Sequence, residues 1–277
     1  MHCMNLLPLT GTTGPRKVLF IHRGALGDFV LAFPLLESLK QVGCSITICS
    51  HESHGELARA LGLCETWFGC ETGKGSSMLL GNSESLALCL KGVDCIIAAV
   101  ADPGNSFRLF LKSHAAVPSF VFFPRPGGSD RIHAADYFFL QLEKLNLAVP
   151  GFRDLWQGGE KIVIHPGSGS KKKNWALNNF IGLYEKLGSE KCLYLLGPVE
   201  IEQGMNPAGA TVKPQSLTDL ADVLIHSRGL VSNDSGVAHL AGYLGVPVMA
   251  IFQATDPAVW APRGKRVTVV DLTPERI

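Results

Sequence analysis

The sequence predicts an α/β protein of two doubly wound domains, each built on a parallel sheet, facing each other across a cleft. Three observations carry this. Short apolar runs alternate with helix-period segments along most of the chain, the mark of βαβ units. A stretch rich in Pro and Gly, Asn146 to Glu160, interrupts the alternation once and reads as an interdomain linker. The length, 277 residues, suits two domains at ~100–200 residues each. The domains are accordingly placed at 1–153 and 154–277.

Lys17-Val-Leu-Phe-Ile21 is an apolar run ending at His22-Arg23-Gly24 and predicts a buried strand. From Asp28 to Gln41, Val30, Leu31, Leu35 and Leu39 recur at helical spacing, with Pro34 in the second turn, where it bends a helix. Strands are predicted at Ser45–Ser50, Asp94–Val100 and Ser119–Phe123, and helices at His54–Leu61 and Ala134–Leu145. The second set begins with strand Lys161–His165, helix Trp175–Leu187 and strand Lys191–Leu196. A helix from Leu217 to His226 carries Ser216 as cap and Asp219 three residues on. Strand Gly229–Ser232, helix Gly236–Leu244 and strands Val248–Phe252 and Arg266–Val270 complete it.

Composition excludes several classes. Hydrophobic residues are 46% and charged residues 18% of the chain, enough for a packed core and too apolar for disorder. Lys plus Arg is 25 against 24 Asp plus Glu. That balance gives no basic surplus for nucleic acid, and no basic tail to hold an acidic membrane strongly. No apolar run approaches the ~20 residues of a membrane helix. Met1 to Gly14 lacks a basic n-region, and Leu6-Leu7-Pro8-Leu9 is too short for a signal core. The eight cysteines show no CxxC pair. They read as buried reduced thiols of a cytosolic protein, not as a zinc site.

In doubly wound sheets ligands bind beyond the carboxyl ends of the strands. Three turns there carry chemistry. In His22-Arg23-Gly24-Ala25-Leu26-Gly27-Asp28, Gly24 and Gly27 let the backbone approach a ligand. Asp28 reads either as a helix N-cap or as a carboxylate that takes a proton from an acceptor hydroxyl. In His165-Pro-Gly-Ser168-Gly169-Ser170-Lys-Lys-Lys173-Asn-Trp175, the amides, Ser168 and Ser170 suit phosphate oxygens and a lysine their charge. A solvated lysine run is the plain alternative. In Ser232-Asn-Asp234-Ser235-Gly236-Val-Ala-His239, the amides of Ser235 and Gly236 open a helix and offer an anion site. Asp234 suits vicinal sugar hydroxyls, since a carboxylate accepts from two at once. The alternatives are Asp234 or Ser235 as a plain cap and His239 as a satisfied core histidine. Glu200 follows a strand and reads as a ribose contact or a surface glutamate. Arg131 and His133 precede the aromatic helix of the first domain and are candidates to touch an anionic acceptor.

Together the three turns resemble glycosyltransferase family 9, the heptosyltransferases. The likeness lies in Gly27-Asp28, in His165-Pro-Gly-Ser-Gly169 with Lys173 and Trp175, and in Asn233-Asp-Ser-Gly236 with His239. Leu244-Gly-Val-Pro247 and Thr255-Asp-Pro257 extend it, and it runs from about Lys17 to the end, weakest between Cys70 and Val93. The resemblance implies the GT-B architecture, with the donor in the C-terminal domain and the acceptor in the N-terminal one. It implies inverting transfer of heptose from ADP-heptose to the lipopolysaccharide core without a metal or other cofactor. By the same resemblance Asp28 is the general base and Lys173 the group on the donor phosphate and leaving group. Ser168, Gly169, Asp234, Ser235, Gly236 and His239 match donor positions. The partners expected are a nucleotide sugar and a glycolipid or oligosaccharide acceptor, with no nucleic acid. The place expected is the cytoplasm, with at most weak association at the inner membrane face. Gln253 stands where the family more usually has glycine, and the chain stops at Ile277, short of the closing helix expected of the family. Other readings stay open: a non-catalytic nucleotide-sugar-binding protein on the same fold, or a family 9 enzyme with another sugar or acceptor. A nicotinamide oxidoreductase is disfavoured because GxGxxG is missing.

Overall fold

A computed structural model describes residues 16–127 and 131–273. The segments before residue 16 and after residue 273, with the leader, Cys3 and the chain end considered above, lie outside the described residues. The described chain divides into two compact units, one of residues 16–24, 32–127 and 135–150, the other of residues 25–31, 131–134 and 151–273.

The first unit carries strands β1 (Lys17–His22), β2 (Ser45–Ser50), β3 (Thr66–Gly69), β4 (Cys95–Ala99) and β5 (Ser119–Phe122). They form one sheet in the order β3-β2-β1-β4-β5, every pair parallel. Leu19 and Ile21 of β1 and Ile96 and Ala98 of β4 belong to one core cluster and are fully buried. Central parallel strands are covered on both faces, which is why their sequences are continuous apolar runs.

The expected helix Asp28–Gln41 is two helices, α1 (Leu26–Leu31) and α2 (Phe33–Gln41), broken at Ala32. Pro34 has no amide to donate back to Val30, so it sits in the first turn of a new helix. Helices α3 (Glu52–Ala60), α4 (Gly73–Leu79), α5 (Ser83–Cys89), α6 (Ser106–His114) and α7 (Ala134–Gln141) complete this half of the chain. Of these, α4, α5, α6 and strand β3 were not expected. The seven described cysteines are free and buried, and burial pushes their thiols up from the ordinary value.

The second unit has β6 (Ile162–His165), β7 (Cys192–Leu195), β8 (Thr211–Val212), β9 (Gly229–Asn233), β10 (Val248–Phe252) and β11 (Val267–Asp271). The order is β11-β10-β9-β6-β7-β8, again all parallel. Its helices are α8 (Leu177–Leu187), α9 (Pro198–Glu202), α10 (Leu217–Ile225), α11 (Gly236–Leu244) and α12 (Pro257–Trp260). Ser216 caps α10, its side chain accepting from the Asp219 amide at 3.0 Å. Gly245 ends α11 at φ +84°, a left-handed position that a side chain strains.

The stretch expected as a linker is docked from Gly151 onward. Leu155 donates its amide to the Leu244 carbonyl, Trp156 its indole N–H to the Ser227 carbonyl, and Gln157 its amide to the Ile225 carbonyl. The Arg266 guanidinium lies over the Trp156 ring at 5.0 Å and binds the Asp154 carboxylate, holding that acid down to about 2 together with Lys265. No helix among the described residues is long and apolar enough to cross a membrane.

Candidate functional site

In the second sheet the chain winds outward from β6 to β7 and β8 on one side and to β9, β10 and β11 on the other. The loops after β6 and β9 therefore diverge at adjacent strand ends, the place where such sheets bind ligands. Asn233 ties the two loops together. Its side-chain N–H donates to the Pro166 carbonyl at 2.7 Å, and its side-chain oxygen accepts the Trp175 amide at 2.8 Å. Sequence reasoning gave Asn233 no role of its own.

The loop after β6 is closed on itself. Ser168 is buried and its hydroxyl hydrogen is shared between the Ser170 carbonyl (2.8 Å) and the Asn174 side-chain oxygen (2.6 Å). Its oxygen accepts the Ser170 amide at 3.2 Å. Ser168 therefore shapes the loop, while Gly169 is exposed and Ser170 half-buried. His165 is buried with Nδ1 3.1 Å from the Leu195 carbonyl. Burial drives its pKa down, with the Glu200 charge opposing.

A single 3₁₀ turn, Lys171–Lys173, follows. Lys171 and Lys172 are exposed, but Lys173 turns inward and its ammonium lies 2.7 Å from Oδ2 of Asp234. Trp175 fixes this approach, with its amide on Asn233 and its ring edge-on to Phe180 at 5.2 Å. The plain reading of a solvated lysine run thus holds for two of the three.

Glu200 is not a surface glutamate. It is 4% exposed, accepts the Gly197 amide at 2.8 Å, and lies so close to Gly167 that a side chain there would collide with its carboxylate. The short helix α9 turns it under the loop after β6.

After β9, Ser235 is the N-cap of α11: its hydroxyl oxygen accepts the Ala238 amide at 3.2 Å and meets the Ser232 hydroxyl at 2.9 Å. Among the described residues no acceptor bonds the amides of Gly236 and Val237, and both residues are half-buried. Asp234 is free of capping. It is buried and receives Lys173 at 2.7 Å and the Thr255 hydroxyl at 2.6 Å, both on Oδ2. His239 Nε2 lies 3.7 Å from Oδ1, long for a hydrogen bond. Burial works to raise the Asp234 pKa. His239, Lys173 and Thr255 outweigh it and hold the acid down to about 2. His239 is not a satisfied core histidine, because its buried Nδ1 has no hydrogen-bond partner among the described residues.

Helix α1 belongs to this same unit and packs on α11. It starts at Leu26, so Asp28 is its third residue and not its N-cap, and is half-buried. The first turns of the two helices touch through glycines. A Cβ on Gly27 would stand 3.2 Å from the His239 ring, and one on Gly236 would stand 2.9 Å from the Leu26 Cβ and 3.0 Å from the Gly27 amide nitrogen. Gly236→Ala is therefore expected to cost about 1–3 kcal/mol by overpacking, read as a lowered urea midpoint.

The remaining candidates make contacts of their own. Gly24, in the first unit, donates its amide to His22 Nδ1 at 3.2 Å. Burial first, then the charges of His54, His51 and Arg125, bring His22 down to about 3. Arg131 and His133 group with the second unit. Arg131 pairs with Asp256 at 3.1 Å. His133 accepts the Arg263 Nε–H on Nδ1 (3.1 Å), which leaves Nε2–H to donate to the Ala261 carbonyl (2.8 Å). Both its ring nitrogens are thus engaged. Among the described residues no group of three or more His, Cys, Asp or Glu could hold a metal ion.

Known proteins place the chain. Residues 134–276 match the family model of glycosyltransferase family 9 (heptosyltransferase). The fold is similar to that of a glycosyl transferase family 9 protein from Veillonella parvula, with 21% identity, a TM-score of 0.72, and 94% of this chain and 88% of that one covered. It is similar to the Escherichia coli heptosyltransferase WaaC solved with ADP, at 19% identity and TM-score 0.70 over 92% and 93% of the two chains. It also resembles the dodecameric, iron-containing glycosyltransferase TibC of enterotoxigenic E. coli, at 14% identity and TM-score 0.60, over 92% of this chain and 62% of that one. No curated protein matches. At these identities the structural likeness is one of fold: two parallel-sheet, Rossmann-like units of the GT-B class. With more than half of its length matched by the family model, the chain belongs to glycosyltransferase family 9.

Proposed function

We propose that this protein transfers heptose from ADP-heptose to a lipopolysaccharide core acceptor, with inversion and without a divalent ion. The observation that carries the reading is the inward turn of Lys173 onto Asp234, two residues before the first-turn amides of α11, at neighbouring strand ends. A cation beside unsatisfied helix amides is a cradle for a diphosphate.

In this reading the donor lies on residues 154–277 and the acceptor on residues 1–153. Asp28 takes the proton of the acceptor hydroxyl as its oxygen attacks the anomeric carbon. The bond from that carbon to the diphosphate oxygen breaks, and the electron pair leaves with ADP. Lys173 and the amides of Gly236 and Val237 take up the charge that develops on the leaving phosphate. Gly169 and Ser170 close the phosphate side, and Asp234, Ser235 and His239 line the donor turn. Glu200 is already engaged by Gly197 and holds the loop floor, with a ribose contact left to the rest of its carboxylate. Arg131, His133, Gly24 and Gly27 are the acceptor-side candidates. The acceptor is a glycolipid or oligosaccharide, which a cytoplasmic protein meets by weak, peripheral contact with the inner membrane surface.

The test is turnover of ADP-heptose with a heptose-free core acceptor, read as ADP release and product mass, with and without EDTA. Sustained turnover in EDTA with a single inverted anomer is expected. Binding of ADP-heptose without turnover would instead assign a nucleotide-sugar-binding protein. A strict need for added metal would remove the metal-free step.

A further inference from the structure

Thr255 follows β10, the strand next to β9, and parallel pairing of the two puts its loop over the β9–α11 turn. Its hydroxyl has one hydrogen, and that hydrogen goes to Asp234 Oδ2 at 2.6 Å. The same oxygen receives the Lys173 ammonium at 2.7 Å. The Thr255 loop is itself held: Asp256 caps α12 by accepting the Ala258 amide at 2.9 Å, and Pro257 opens that helix. Asp234 thus meets a hydroxyl on a fixed turn, a mobile-tailed lysine, and His239 at longer range.

We infer that Thr255 is a positioning residue for donor binding: it fixes the Asp234 carboxylate, and through that carboxylate the place from which Lys173 reaches the diphosphate. This rests on the donor reading above. The chemistry is that of a buried charge with three neighbours. When Lys173 turns toward phosphate, Asp234 loses its closest cation. A buried carboxylate without a donor is costly and reclaims the lysine or takes a proton. The Thr255 hydroxyl stays on Oδ2 throughout and lets Lys173 be shared. Among the described residues, Lys173 and His239 are the charged or titratable groups paired with Asp234.

Thr255→Val keeps the shape and removes the hydroxyl, Thr255→Ala removes it without a branched side chain, and Thr255→Ser retains it. Both hydroxyl-free variants are expected to raise donor KM about tenfold or more, the scale of a hydrogen bond to a charged group, with a smaller change in kcat. Thr255→Ser should restore the donor KM. A merely structural threonine would change the melting temperature and leave the split between KM and kcat in place. A second readout needs no donor: NMR titration of the Asp234 carboxyl carbon in the ligand-free protein. Its midpoint should rise in Thr255→Val and Thr255→Ala and return in Thr255→Ser. An unmoved midpoint overturns the inference. Absence of any ADP affinity in the unaltered protein overturns the donor reading instead, and the carboxyl titration still decides the link from Thr255 to Asp234.

Discussion

Lys173→Ala is expected to lower kcat/KM for the nucleotide-sugar donor by about 10²- to 10³-fold, the usual loss when one stabilising group is taken from a developing oxyanion. Two effects add. The leaving diphosphate loses a cation that the first-turn amides of α11 do not replace. Asp234, 4% exposed at its side chain, loses the ammonium 2.7 Å away. Breaking a buried pair from one side costs about 3–5 kcal/mol of stability. Lys173 is 31% exposed, so water replaces part of it and the loss of stability stays below that range. Lys173→Ala with Asp234→Asn separates the two effects. The double variant should recover stability, because no charge is then stranded, and should not recover kcat. Unchanged kcat/KM in Lys173→Ala would take the leaving-group role away from this residue. Lys173→Arg is expected to rescue little, because a planar fork does not reproduce the single point contact that the ammonium makes on Asp234 Oδ2.

The parts of the fold legible in the sequence are those buried on both sides. Strands β1, β4, β6, β9 and β10 are central, and their apolar runs announce them. Strand β3 is a half-exposed edge of four residues and β8 a pair of residues, too short and too little buried to leave a pattern. Helix α4 opens on Gly73-Lys-Gly-Ser-Ser77, whose composition argues for a turn, and its place against β3 makes it helical. Helix α6 did leave a signal, with Phe107 and Leu111 four residues apart on its buried face.

The candidate site was legible as three turns at strand ends, because glycine, proline and short polar residues mark where strands stop. Which of Lys171, Lys172 and Lys173 turns inward is not a property of spacing. It follows from the 3₁₀ turn and from Trp175 being held by Asn233, a contact across 58 residues. Thr255 touches Asp234 because β10 lies beside β9, and strand order is invisible in a local reading. Glu200 reads in the sequence equally as a ribose contact or as a surface residue, because glutamate is usually exposed; it is buried because Gly167 leaves room for its carboxylate. The start of α1 was read two residues late because Gly27 resembles a turn residue, whereas it is the small contact that lets α1 meet α11.

Asp28→Asn should abolish most turnover while leaving ADP affinity within about twofold, with kcat down about 10²- to 10⁴-fold, the range that general base catalysis supplies. Asparagine matches aspartate in shape, and its amide cannot take the acceptor proton. The competing account is structural. As the third residue of α1, Asp28 sits in the first turn, where a negative charge favours the helix by about 0.3–1 kcal/mol. The charge at the helix start by itself is worth less than a tenfold effect on any equilibrium. The two accounts part on readout. A structural Asp28 predicts a drop in melting temperature and activity that follows the folded fraction. A basic Asp28 predicts a folded, ADP-binding protein that scarcely turns over. Asp28→Glu adds a second separation: it keeps the charge at the helix start, so a structural role is rescued. It also moves the carboxylate by a methylene, so a base positioned for an incoming hydroxyl is not.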